Sequence, residues 1–138
     1  MHANVQSSQN SVSSSRSSHD MLIQAGLQFF FNLAEKWQLK IEQQRILLGG
    51  IPESTYHKLK KTGTGTLSSD QLDRISYLMG IFKDLNILLS NEKAANEWVK
   101  KPNFAPLFNG QSALDRMLSG KIIDLALIRQ YLDAERGA

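Results

Sequence analysis

Apolar side chains recur along this chain at intervals of three and four residues. Beyond residue 20, Leu22, Ile23, Leu27, Phe30, Phe31 and Ala34 make one helical stripe, which Trp37 extends. Asp20 is placed to cap it. Such an apolar helix must pack on others, so Phe29-Phe30-Phe31 reads as core. Leu39, Ile41, Ile46, Leu47 and Leu48 mark a second helix. It stops at Gly49-Gly50, where a left-handed terminus costs little. Pro52 opens a third helix within its first turn, running to Lys61. There Thr55, Tyr56 and Leu59 fall on one face, and Ser54, His57, Lys58 and Lys61 on the other.

Thr62-Gly63-Thr64-Gly65-Thr66 reads as a flexible loop. Ser68 or Ser69 then caps a stripe of Leu72, Ile75, Leu78, Met79 and Phe82, continued by Leu85, Ile87, Leu88 and Leu89. This predicts one helix over 67–89, or two joined near Gly80. Asn91 caps a short helix through Trp98 and Val99, which Lys101-Pro102-Asn103 breaks. An apolar loop follows over 104–110, then short and long helices over 112–118 and 122–134. No alternation of period two occurs, so the fold class is all-α. The expected organisation is a helix-turn-helix domain over residues 21–90 and a small helical domain over 91–138. Residues 1–20 are a Ser/Gln/Asn tract, expected to be disordered because it has too little apolar surface to offset chain entropy.

Composition narrows the chemistry. The chain has no cysteine, which excludes disulfides and thiolate metal sites and fits a reducing cytoplasm. No apolar run approaches the roughly 18 residues of a membrane span, and no signal peptide is visible, so a cytoplasmic protein is expected. His2, His19 and His57 have no metal-ligand spacing. Gly63-Thr64-Gly65 lacks the strand and following lysine of a phosphate loop. Asp70, Asp73 and Asp84 read as helix-surface or capping residues. No catalytic constellation, metal or cofactor is expected, and the chain does not read as an enzyme.

Charge is more telling in its distribution than in its sum of +3. Lys36, Lys40, Arg45, Lys58, Lys60 and Lys61 oppose only Glu42 and Glu53, a local +4, whereas nine basic and nine acidic residues balance from Thr62 onward. The excess therefore sits on the candidate helix-turn-helix. A lysine-rich solvated face explains the charge equally well. On the DNA reading, Ser54 and His57 face base edges while Lys58, Lys60 and Lys61 meet phosphates, within a dimer spanning two half-sites. The turn is one residue longer than the commonest helix-turn-helix spacing. In the C-terminal region, Phe104 and Phe108 lie in an apolar loop of the kind that marks protein interfaces, or that folds back onto its own core. Tyr131-Leu132-Asp133-Ala134-Glu135-Arg136-Gly137-Ala138 reads as a slim charged probe for a partner's cleft, or as a frayed helix end.

Two sets of residues resemble a known family. Leu48-Gly49-Gly50-Ile51-Pro52-Glu53-Ser54-Thr55-Tyr56, Leu67-Ser68-Ser69-Asp70 and Arg74 to Lys83 are similar to the Xre-like helix-turn-helix of the bacterial Xre/MbcA/ParS-type antitoxins. Ala94/Ala95, Trp98, Pro102-Asn103, Phe108-Asn109-Gly110, Ser112, Gly120, Tyr131-Leu132-Asp133 and Arg136-Gly137 resemble that family's toxin-binding domain. Val99 replaces a usual leucine and Ala113 a common proline. The resemblance covers residues 21–138. It implies an antitoxin of a type II toxin-antitoxin system whose C-terminal part masks a RES-domain, NAD-degrading toxin. Phe104, Phe108, Tyr131, Ala134, Glu135, Arg136 and Gly137 would be its toxin-binding residues. The N-terminal part would bind the promoter and repress it, as a homodimer within a larger complex. A helical adaptor, or a transcription factor without a toxin, remains open on the sequence. The three phenylalanines of the first helix are the expected self-association surface.

Overall fold

Three of the helices begin where a side chain closes the first turn. Ser68 Oγ accepts from the Gln71 amide while Gln71 Oε1 accepts from the Ser68 amide, a reciprocal cap. Asn91 and Ser112 accept from the amides of Ala94 and Asp115. In this computed structural model residues 2–137 are described, with side chains from residue 18 onward. The described residues form α1 (His2–Lys36), α2 (Ile41–Leu47), α3 (Glu53–Thr62), α4 (Ser69–Leu88), α5 (Glu92–Trp98), α6 (Ala113–Met117) and α7 (Ile122–Gly137). Among them there is no strand, only an isolated bridge between Pro102 and Ser112. None of the helices is long and apolar enough to cross a membrane.

The structure departs from the pattern in several places. Helix α1 does not start at Asp20 but reaches back to His2; Met1 lies outside the described residues. No glycine or proline stands between His2 and Ala25 to stop the turns. Pro52 is the residue before α3 rather than inside it, with extended backbone at φ −60° and ψ 152°. Thr55 is exposed, leaving Tyr56 and Leu59 as the inner face of α3. Helix α4 is continuous through Gly80.

Buried side chains from both halves make one cluster. It joins Ile23, Leu27, Phe30 and Leu33 of α1, and Trp37 just after it, to Leu78, Ile81 and Leu85 of α4 and Leu125, Ile128 and Leu132 of α7. Helix α4 is its common wall, since α1, α5 and α7 all pack on it, α7 most extensively. Ser76 and Gly80 lie opposite Arg129, and Asp84 lies opposite Arg136, so α4 and α7 run in the same direction. A Cβ at Gly80 would come within 2.7 Å of Arg129 Cδ. The missing side chain lets the arginine lie flat across the helix.

The helix-turn-helix is braced from inside. Gly49 and Gly50 have φ of 95° and 78°, a conformation that favours glycine, so the turn after α2 uses both glycines. Arg45 Nε donates to the Ile51 carbonyl at 2.8 Å and ties the turn to α2. The Tyr56 hydroxyl donates to Gln44 Oε1 at 2.7 Å in the interior, while Gln44 Nε2 donates to the Leu39 carbonyl at 3.0 Å. Gln44 thus links α2 to α3 and to the chain entering α2. Replacing Tyr56 by phenylalanine leaves Gln44 Oε1 buried without its donor, which costs about 1–3 kcal/mol. Urea unfolding of Y56F should show that loss with an unchanged slope; an unchanged midpoint would remove this bond from the brace.

Candidate functional site

Two exposed surfaces carry the chemistry, one on α3 and one around the end of α7. Burying Tyr56 and Leu59 turns the opposite face of α3 outward, and Ser54, His57, Lys58, Lys60 and Lys61 are all exposed. At about 100° per residue, Ser54, His57, Lys58 and Lys61 share an arc of roughly 100°. Lys60 falls outside it and borders open clefts against α1, beside Phe31 and Asn32. The structure therefore brings four of the five expected residues together and turns the fifth aside. His57 is held at its place: its Nε2 lies 3.5 Å from Glu53 Oε1, and its ring meets Tyr56 edge-on at 5.3 Å. No carboxylate among the described residues forms an ion pair with Lys58, Lys60 or Lys61. Lys60 and Lys61 also sit in the last turn of α3, where the helix dipole favours cations.

The loop before α6 divides its two phenylalanines. Phe108 is not on the surface but 2 % exposed. It sits edge-on between Trp98, at 5.8 Å, and Tyr131, at 5.3 Å, so it is a core residue joining the loop to α5 and α7. Phe104 is 86 % exposed. The backbone that presents it is closed by hydrogen bonds from the Asn103 amide to the Gln111 carbonyl and from the Gly110 amide to the Asn103 carbonyl, at 3.0 and 2.9 Å. Arg116 locks the loop from below, with Nη1 on the Leu107 carbonyl at 2.8 Å and Nη2 3.1 Å from Asp124. Phe104 is thus an apolar knob on a fixed base.

Helix α7 is the core of this region until its last turns. Leu125, Ile128 and Leu132 are buried and Tyr131 is half-buried, whereas Ala134, Glu135, Arg136 and Gly137 are exposed. Ala138 lies outside the described residues. Leu85, Leu88, Leu89, Trp98, Tyr131, Leu132 and Glu135 line a small open cleft between α4 and α7. Aromatic contacts connect it, through Tyr131 and Phe108, to the loop that carries Phe104.

The end of α7 is not a free probe. Arg136 Nη1 donates to Asp84 Oδ1 at 3.1 Å. Asp84 reads from sequence as a surface or capping residue, but it is 1 % exposed. Its Oδ2 meets no amide, hydroxyl or guanidinium donor. The nearby Asp133 carboxyl can supply a proton only when neutral, and its pKa is accordingly raised. Hydrogen bonding to Asp84 is the main cause, followed by burial and by the charge of Asp84, against the lowering effect of Arg129 and Arg136. Asp84 and Arg129 were not foreseen as part of this surface. Arg136 and Asp84 are far apart in sequence, and only the packing of α7 on α4 brings them together.

Among the described residues, no group of three or more His, Asp or Glu side chains could hold a metal ion. The two surfaces are one basic polar helix face and one apolar-and-charged patch.

Comparison with known proteins agrees with this division. Residues 19–80 match the antitoxin Xre-like helix-turn-helix domain, and residues 84–137 match the antitoxin Xre/MbcA/ParS C-terminal toxin-binding domain. The chain is 44 % identical over 124 residues to "Uncharacterized protein y4oB" of Sinorhizobium fredii (strain NBRC 101917 / NGR234), covering 90 % of this chain and 94 % of the relative. No solved structure matches it. With both segments matched in order and carried by one helical fold, the chain belongs to the Xre/MbcA/ParS antitoxins, a helix-turn-helix joined to a toxin-binding domain.

Proposed function

We propose that this antitoxin neutralises a RES-domain, NAD-degrading toxin by covering its active site with the end of α7, and represses its own promoter through α3. The observation that carries the first part is the change of character along α7. A helix buried through Leu132 ends in five consecutive exposed residues, Asp133 to Gly137. They lie within the segment matched to a toxin-binding domain. Tyr131, Glu135 and Arg136 would meet the toxin, with Phe104 inserted as an aromatic anchor beside them. Phe108 contributes from beneath, by fixing the loop and Tyr131.

The second part is supported by the outward face of α3. Lys58 and Lys61 would neutralise phosphates, and Ser54 and His57 would reach base edges in the major groove. Lys60, turned toward α1, would add less. A helix-turn-helix of this size grips one half-site, so repression calls for a homodimer. The cell compartment in which such a pair works is the cytoplasm.

Two measurements test this reading. Deleting residues 131–138 should leave the toxin active in a purified NAD-consumption assay, and full inhibition by the truncated chain would sink the occlusion model. For repression, promoter affinity should be titrated against salt. Each lost phosphate contact lowers the slope of log K against log salt by about 0.9. K58A/K61A should therefore flatten the slope by about two contacts and K60A by less than one. A slope unchanged in K58A/K61A would reject those lysines as phosphate ligands.

A further inference from the structure

We infer that Asp84 is a positioning residue for toxin recognition: it holds the last turn of α7 against α4 and fixes the direction in which Arg136 presents its free N–H groups. This rests on the proposed role of the α7 end.

The argument begins with where the charge sits. The Asp84 side chain is 2 % exposed, whereas that of Arg136 is 42 % exposed. A carboxylate removed from water is costly unless paired, and Arg136 supplies the cation at 3.1 Å. The pairing acts on a place where helices otherwise fray: Asp133 to Gly137 are all exposed. Between Leu132, the last buried residue, and the end of α7, Arg136 is the cation that bonds to another helix, and Asp133 reaches the same Asp84 when its carboxyl is neutral. A guanidinium has five N–H donors in a fixed plane. One of them reaches Asp84. The exposed part of the guanidinium then faces outward at an angle set by α4 rather than by a flexible stem.

Arg129 and Asp133 reinforce the arrangement. Arg129 Nε lies 3.7 Å from Asp133 Oδ2, and Arg129 Nη1 reaches the Ser76 carbonyl at 3.5 Å. Asp133 is therefore shared between Arg129 and Asp84, while Arg136 keeps its own bond to Asp84. Preorganising a contact residue raises affinity by sparing the ordering cost on binding.

A double-mutant cycle with purified toxin and the full chain is the test. Asp84→Asn and Asp84→Leu should each weaken toxin binding about tenfold, the loss of one charge-assisted contact. The leucine variant keeps the site packed if the asparagine variant fails to fold. In an Arg136→Ala background neither should cost more than about twofold, because the residue through which Asp84 acts is gone. Amide exchange over 133–137 in the free chain should quicken about tenfold in either variant, while amides of Leu78 and Ile128 keep their protection. Equal losses in both backgrounds would make Asp84 a merely structural residue and overturn the inference. So would unchanged affinity in D84N and D84L while the 131–138 deletion still abolishes binding. If the deletion itself leaves binding intact, the proposed role of the α7 end fails instead.

Discussion

The packing of α7 along α4 is the interaction on which the rest of this molecule depends. Leu125, Ile128 and Leu132 complete a core that α4 shares with α1. Without α7, Leu78, Ile81 and Leu85 would lose much of their cover, and exposing a side chain of that size costs about 1.5–3 kcal/mol. The seam also sets register. Arg129 lies over Gly80, Arg136 reaches Asp84, and Phe108 meets Tyr131, each through residues distant in sequence. The end of α7 is therefore built on the same helix that supports the helix-turn-helix.

This shared wall bears on how the two family segments are joined. The first match ends at residue 80 and the second starts at 84, both inside the unbroken helix α4. A continuous helix transmits position well, because close-packed interiors have little room to absorb a shift. The α3 face and the α7 end thus belong to one rigid frame, with Tyr56 and Gln44 bracing one side and the aromatic trio of Trp98, Phe108 and Tyr131 bracing the other.

How much of this was legible in the sequence follows from the range of the forces involved. Caps and turns are local, so Ser68, Asn91, Ser112 and Gly49-Gly50 marked their boundaries correctly. Helical periodicity placed Tyr56 and Leu59 inward and left the α3 lysines outside, though it misjudged Thr55. It had nothing to say about residues 104–110, where the backbone follows no fixed period. Phe104 and Phe108 are alike in sequence, yet one is exposed and the other buried. The start of α1 failed for a different reason: poor helix formers without a glycine or proline lower the tendency to form helix but do not block it. Asp84 was read as a surface residue because its burial depends on α7, which lies about 50 residues away along the chain.

Asp84 is also the residue whose presence packing alone does not explain. Replacing a buried ion pair by well-packed apolar side chains is often neutral or stabilising by about 1–4 kcal/mol. An aliphatic residue on α4 facing an aliphatic residue on α7 would serve the core at least as well. What it would not supply is direction. An apolar contact tolerates sliding and rotation, whereas a guanidinium bonded to a fixed carboxylate is limited in both. At the end of a helix with no further core contact, that constraint separates a frayed terminus from a presented one. The charge on Arg136 neutralises Asp84 inside the fold and leaves its remaining donors at the surface.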